Sequence, residues 1–110
     1  MNIQIFGKAK CFDTKKAERY FKERRIKYQY VDLKKYGMSR GELQSVKNAV
    51  GLEAMVDTGD EDYPRFQHLA GNEAKLEKLY EVPYLIKTPI VRNGKQATVG
   101  YCPEVWETWK

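Results

Sequence analysis

A single cysteine, at the point where an apolar run meets a helix-like segment, is the residue of this chain best placed to do chemistry. Cys11 follows the apolar run of residues 3–6 and opens the stretch CFDTKKA. Backbone N–H groups and the positive end of a helix dipole stabilise a thiolate at such a position. Lys8 and Lys10 are expected to lower the pKa of the thiol further, and Asp13 to oppose them. Cys11 is therefore either a nucleophile or an inert, packed side chain.

The motif around this cysteine has one thiol and not two. It reads Cys-Phe-Asp-Thr, so Thr14 stands where a dithiol oxidoreductase has its second cysteine. A threonine can hydrogen-bond a thiolate but cannot resolve a disulfide, which excludes a redox switch confined to the motif. A monothiol mechanism remains, in which the Cys11 thiolate attacks a mixed disulfide and glutathione resolves it. Glutathione would then be a co-substrate, and we expect no bound cofactor.

Composition sets the broad class of the chain. Its 110 residues are 42% hydrophobic and 32% charged, which predicts one globular domain over residues 1–110. There is no signal-peptide core and no apolar run of membrane-spanning length, so we expect a cytoplasmic protein without a membrane partner. The net charge of +5 comes from basic residues interleaved with acidic ones. That pattern is typical of solvated helix faces, so no direct nucleic-acid binding is expected.

The cysteine and histidine content argues against structural cross-links and metals. Two cysteines are too few for a disulfide-stapled scaffold, and they have no metal-ligand spacing. The only histidine, His68, has no acidic or cysteine partner at ligand spacing, so no metal site is expected.

The N-terminal half predicts a βαβ unit followed by helices. Residues 3–7 read as a strand, residues 12–25 as a helix and residues 26–33 as a second strand, which implies a parallel pair. Ser39 followed by Glu42 is a capping-box signature for a helix that ends near Gly51.

The C-terminal half predicts more helix and then a hairpin. A short helix is expected around residues 66–69, and another begins at or just after Asn72 with Tyr80 on its apolar stripe. Asn93-Gly94 is a hairpin signal between two short strands. Pro103 opens a terminal helix that carries Val105, Trp106 and Trp109.

This order of elements predicts an α/β, thioredoxin-like domain: a four-stranded mixed sheet with flanking helices and a helical insertion. Thr88-Pro89 stands where the third strand begins. In the thioredoxin fold the proline at that point is cis and faces the reactive cysteine, so we expect Pro89 to lie beside Cys11.

Several blocks of sequence resemble one family. The segments CFDTKKA, GLEAM and LIKTPIV, followed by GK and VG before the terminal helix, are similar to the arsenate reductase (ArsC)/Spx family of thioredoxin-fold proteins. The resemblance covers nearly the whole chain and is greatest to an uncharacterised, glutaredoxin-like branch. The family includes glutathione-coupled arsenate reductases and Spx-type regulators that bind RNA polymerase.

Departures from the family pattern narrow the expected activity. The resemblance implies three active-site arginines, at positions where this chain has Gly59, Thr88 and Cys102. An arginine fork holds a tetrahedral oxyanion in a way that lysine does not. We therefore expect no efficient arsenate reduction. By the same mapping Cys102 lies on the side of Cys11 and is a candidate resolving thiol; the alternative is that it caps or packs the terminal helix.

Two classes of function remain open at this point. In the first, the chain is a thiol-dependent oxidoreductase that acts on a small thiol or protein disulfide, with Cys11 as nucleophile and Lys8, Lys10, Thr14, Thr88 and Pro89 supporting it. In the second, it is a non-enzymatic, Spx-like regulator or binding module that contacts a protein partner such as RNA polymerase.

Overall fold

Four strands form one mixed sheet in the computed structural model, which describes residues 1–109. The strands, in chain order, are β1 (Ile3–Gly7), β2 (Tyr28–Asp32), β3 (Ile90–Asn93) and β4 (Gln96–Val99). Their spatial order is β2-β1-β3-β4. β1 pairs in parallel with β2, whereas the β1–β3 and β3–β4 pairs are antiparallel. The predicted four-stranded mixed sheet is thus confirmed, with the hairpin at one edge.

Six helices surround the sheet. They are α1 (Phe12–Glu23), α2 (Leu33–Tyr36), α3 (Arg40–Val50), α4 (Tyr63–Gln67), α5 (Gly71–Glu81) and α6 (Pro103–Trp106). Two 3₁₀ turns, Glu53–Met55 and Pro83–Leu85, flank the α4–α5 region. The capping box at the start of α3 is confirmed, with reciprocal hydrogen bonds between Ser39 and Glu42. None of the helices in the described part of the chain is long and apolar enough to cross a membrane.

The central strand β1 is buried on both faces and divides the core in two. Ile3 and Ile5 pack with α1 residues and with Trp106, whereas Phe6 packs with the helices inserted between β2 and β3. Alternating side chains of a strand point to opposite faces, so β1 holds both layers together. This burial fixes the end of β1, from which the chain continues to Cys11.

The hairpin turn differs by one residue from the sequence prediction. Asn93 pairs directly with Gln96, so the two loop residues are Gly94 and Lys95 and not Asn93 and Gly94. Gly94 has a φ of 61°, and the first central position of a type II′ turn requires glycine for that reason.

The helix ends also show differences. α4 begins at Tyr63, three residues before the expected start. The terminal helix ends at Trp106; Trp109 lies beyond it but is buried, and Val105 is 37% exposed. Tyr80 is 38% exposed instead of lying on the apolar stripe of α5, and the Arg40 guanidinium stacks on its ring at 4.0 Å.

Candidate functional site

A tight turn at the end of β1 carries Cys11 to the start of α1. The Cys11 N–H donates to the Lys8 carbonyl at 3.0 Å, and the Cys11 carbonyl accepts from the Lys15 N–H at 3.3 Å. Cys11 is the N-cap of α1, with φ −82° and ψ 117°. Its thiol therefore lies beside the unpaired N–H groups of the first helical turn.

The Cys11 thiol reaches across to the segment that precedes β3. Sγ donates to the Thr88 carbonyl at 3.7 Å, and the Thr88–Pro89 peptide bond is cis. Pro89 is buried, and the thiol is half-buried. The structure thus brings Cys11, Thr14, Thr88 and Pro89 together.

The pKa of Cys11 is lowered below its ordinary value. Burial of the thiol is the largest single influence and raises its pKa. Hydrogen bonding with the side chains of Thr14 and Thr88, and with the backbone of Thr14 and Asp13, together outweighs it. The thiolate is consequently favoured relative to a free cysteine.

Thr14 has an unusual environment. Its hydroxyl is buried and makes no hydrogen bond among residues 1–109 while the Cys11 sulfur contacts the Thr88 carbonyl. A buried hydroxyl without a partner is costly, and a thiolate on Cys11 would accept from it. Ionisation of Cys11 therefore satisfies a polar group that the protonated state leaves unpaired.

The lysines do not act on the thiol as the sequence suggested. The Lys8 ammonium donates to the Tyr84 carbonyl at 2.7 Å. The main contributions that lower the pKa of Cys11 are hydrogen bonds and not the charges of Lys8 and Lys10. Asp13 contributes through its backbone, which lowers the pKa of the thiol, whereas its carboxylate was expected to oppose ionisation.

The pKa of Cys102 is raised, in contrast to that of Cys11. Cys102 is the N-cap of α6, its thiol donates to the Val99 carbonyl at 3.4 Å, and it packs against the core that contains Trp106. Burial, then the Glu104 carboxylate and more weakly that of Asp13, raise its pKa. Both cysteines are free thiols. The contacts of Cys102 favour the alternative that it packs the terminal helix over a role in resolving Cys11.

Gly7 is a site residue that the sequence reasoning missed. A Cβ on Gly7 would lie 2.3 Å from Thr14 Cγ2 and 2.8 Å from Thr14 Oγ1. No real Cβ makes such contacts, so glycine is required for β1 to approach the first turn of α1. A glycine between an apolar strand and the cysteine was the available signal.

Across residues 1–109, no three His, Cys, Asp or Glu side chains are grouped so that they could hold a metal ion.

Comparison with known proteins places this fold and site in a family. The ArsC family model matches residues 6–109. The chain belongs to the ArsC family. It is 30% identical over 107 residues to the global transcriptional regulator Spx 2 of Oceanobacillus iheyensis, covering 92% of this chain and 78% of that protein.

Solved structures agree on the fold of this ArsC-family chain. An arsenate reductase from Vibrio cholerae superposes with a TM-score of 0.83 at 24% identity, covering 96% of this chain and 94% of that one. The glutaredoxin-like NrdH-redoxin of Escherichia coli gives a TM-score of 0.53 at 12% identity, covering 100% and 96%. The thioredoxin-like fold is therefore confirmed.

Proposed function

We propose that the chain is a thiol-dependent oxidoreductase with Cys11 as nucleophile, coupled to glutathione or another thiol, and not an efficient arsenate reductase. The observation that carries the proposal is the environment of the Cys11 sulfur. It lies at the N-terminus of α1, its pKa is lowered by hydrogen bonding, and it faces Thr88 next to Pro89. A thiolate, and not a thiol, is the attacking species in disulfide exchange.

The reaction follows from a single nucleophilic sulfur. The Cys11 thiolate attacks the glutathione sulfur of a mixed disulfide, a Cys11–glutathione disulfide forms, and the substrate leaves as a thiolate that water protonates. A second glutathione, as thiolate, attacks that disulfide and releases glutathione disulfide and the Cys11 thiolate. The substrate sulfur passes from the disulfide to the thiol level and the sulfur of the second glutathione passes from the thiol to the disulfide level, while the glutathione that the substrate carried stays at the disulfide level.

Thr88 is the proposed docking point for the substrate backbone. It precedes β3, and its main-chain N–H and carbonyl make no backbone–backbone hydrogen bond within the described part of the chain. An extended substrate can pair with such groups in the manner of an added strand. That arrangement would hold a disulfide near the Cys11 sulfur.

Arsenate is a poor fit to this site. Gly59, Thr88 and Cys102 stand where the family resemblance places arginines, and none of them supplies a guanidinium. A tetrahedral oxyanion would have no bidentate donor at these positions.

A regulator that binds a protein partner, such as RNA polymerase, is the second candidate. Two observations favour it: the relative from Oceanobacillus iheyensis is a transcriptional regulator, and the Phe12 side chain next to Cys11 is 70% exposed. Exposed aromatic side chains are common anchors of protein interfaces. In this role Cys11 would be present without turnover.

The deciding experiment measures the rate of Cys11 alkylation against pH together with turnover of a glutathione mixed disulfide. The Cys102→Ser background leaves one reporting thiol. An apparent pKa below the ordinary thiol value, together with turnover that Cys11→Ser abolishes, supports the oxidoreductase. An ordinary pKa for Cys11 and no turnover would instead support the binding module.

A further inference from the structure

A cavity of about 260 Å³ lies beside the proposed nucleophile. It is lined by Lys8, Ala9, Lys10, Lys34 and Tyr84. Three of these residues form the turn that leads directly into Cys11, and that turn is closed by the bond from the Cys11 N–H to the Lys8 carbonyl. The cavity therefore lies against the backbone turn that ends at Cys11.

The lysine ammonium groups around this cavity form no ion pairs within residues 1–109. Within residues 1–109, no carboxylate oxygen lies within 4.0 Å of the Lys8, Lys10 or Lys34 ammonium. The Lys8 ammonium contacts only a neutral acceptor, the Tyr84 carbonyl, at 2.7 Å. Lys10 and Lys34 are exposed; Lys10 lies in the turn between β1 and α1, and Lys34 lies in α2. Uncompensated cations at the rim of a partly apolar recess attract an anion.

Three acidic residues near the cavity lie on the far side of Tyr84, and a fourth, Asp32, caps α2 by accepting from the Lys34 N–H at 2.9 Å. The Tyr84 hydroxyl donates to the Asp62 carboxylate, and the charges of Asp60 and Glu61 also act on that hydroxyl. Lys8 binds the main-chain carbonyl at the other end of the same residue. An anionic ligand group would therefore be held at the lysine side and repelled from the hydroxyl side.

We propose that this cavity binds a carboxylate of the substrate, so that the site selects small thiols and disulfides that carry negative charge next to the reacting sulfur. The inference rests on the proposed function, because it names the class of substrate for the same nucleophile. Lys34 and Tyr84, which the sequence did not connect with Cys11, become part of the binding site. Lys10 and Lys34 supply the charge, and Lys8 fixes the turn.

Alkylation of Cys11 tests the charge preference without any turnover. Iodoacetate carries a carboxylate, and iodoacetamide is its neutral analogue. Both react with the Cys11 thiolate, so the ratio of their alkylation rates does not depend on the fraction of Cys11 that is ionised. The variant is Lys34→Gln in the Cys102→Ser background, and the matched control is Lys95→Gln in the hairpin loop at the opposite end of the sheet. We expect the ratio of the alkylation rate with iodoacetate to that with iodoacetamide to fall about two- to fivefold in Lys34→Gln. The same ratio should stay unchanged in Lys95→Gln. High salt should reduce the difference.

A second measurement separates this inference from the proposed function. Turnover of dithiodiglycolate, which has two carboxylates, is compared with that of the neutral bis(2-hydroxyethyl) disulfide. Preference for the anionic disulfide that weakens in Lys34→Gln supports the inference. Turnover of both with no charge preference, and an unchanged alkylation ratio, would overturn it while leaving the oxidoreductase intact. If neither these disulfides nor a glutathione mixed disulfide is turned over but the ratio falls, the anion site stands and the proposed function fails.

Discussion

Gly7 and Thr14 are in such close contact that no other residue fits at position 7. An added Cβ would lie 2.3 Å from Thr14 Cγ2, which is well inside any real carbon–carbon contact. Gly7 is the last residue of β1, and Thr14 is in the first turn of α1. The contact therefore sets where the Thr14 hydroxyl lies relative to the Cys11 sulfur, and it links the packing of the strand to the acidity of the thiol.

Gly7→Ala should displace the start of α1. Over-packing of a close contact typically costs about 1–3 kcal/mol, so urea unfolding should show a loss of that size. The pKa of Cys11, measured by alkylation against pH, should rise because Thr14 moves. Gly41→Ala is the matched control, since a Cβ there meets nothing within 4 Å and alanine favours a helix. Equal stability in Gly7→Ala and the parent chain would contradict the contact.

Features of the fold were predicted correctly where the sequence signal acts over a few neighbouring residues. The βαβ unit and the Ser39 capping box are confirmed because hydrophobic period and cap chemistry act over a few residues. The hairpin loop was one residue off because its register depends on the cross-strand pairing of Asn93 with Gln96.

The errors at the site have a different origin. Lys8 was expected to act on the thiol, but its ammonium binds the carbonyl of Tyr84, 76 residues along the chain. The contact of Gly7 with Thr14 likewise depends on the angle at which α1 leaves the sheet. Such relationships arise from packing. The glycine at the end of the apolar strand was a signal for Gly7 itself, but no period or motif in the sequence specifies its contact with Thr14 or that of Lys8 with Tyr84.

Thr14→Val tests the hydrogen bond to the thiolate. Valine keeps the shape of threonine but has no hydroxyl, so the pKa of Cys11 should rise and alkylation at neutral pH should slow several-fold. Stability should change by less than about 1 kcal/mol, because the lost hydroxyl has no partner in the thiol state. Thr14→Ser, which keeps the donor, should retain the lowered pKa. A Thr14→Val protein that reacts as fast as the parent would exclude this role for the hydroxyl.

The lowered pKa of Cys11 also predicts how stability depends on pH. In the folded state the thiol ionises below its ordinary value of 9.0, so between the two values the unfolded chain binds more protons. The stabilisation is fully present above the unfolded-state pKa and is lost as the pH falls through the folded-state pKa. In the Cys102→Ser background, the free energy of unfolding should therefore rise with pH relative to the Cys11→Ser, Cys102→Ser double variant. If the difference in the free energy of unfolding between the two proteins is constant from pH 6 to 10, the pKa of Cys11 is not lowered by folding.

Arsenate should not be reduced at an appreciable rate. Gly59, Thr88 and Cys102 lack the guanidinium that would hold the oxyanion at the matching positions. A coupled assay with glutathione as reductant should show no arsenate-dependent turnover above that of Cys11→Ser. Turnover that disappears in Cys11→Ser would show that this site binds arsenate without those arginines.

Cys102 should not take part in the redox cycle. Its pKa is raised chiefly by burial, and its thiol is bound to the Val99 carbonyl, so little thiolate is available to attack a disulfide on Cys11. We expect mild oxidation with glutathione disulfide, followed by peptide mapping, to give glutathionylated Cys11 and free Cys102. Cys102→Ser should then keep the turnover rate, while Cys11→Ser abolishes it. A Cys11–Cys102 disulfide within the monomer, together with slow turnover in Cys102→Ser, would replace the monothiol mechanism with a two-cysteine cycle. Such a disulfide needs Cα atoms about 4.4–6.8 Å apart.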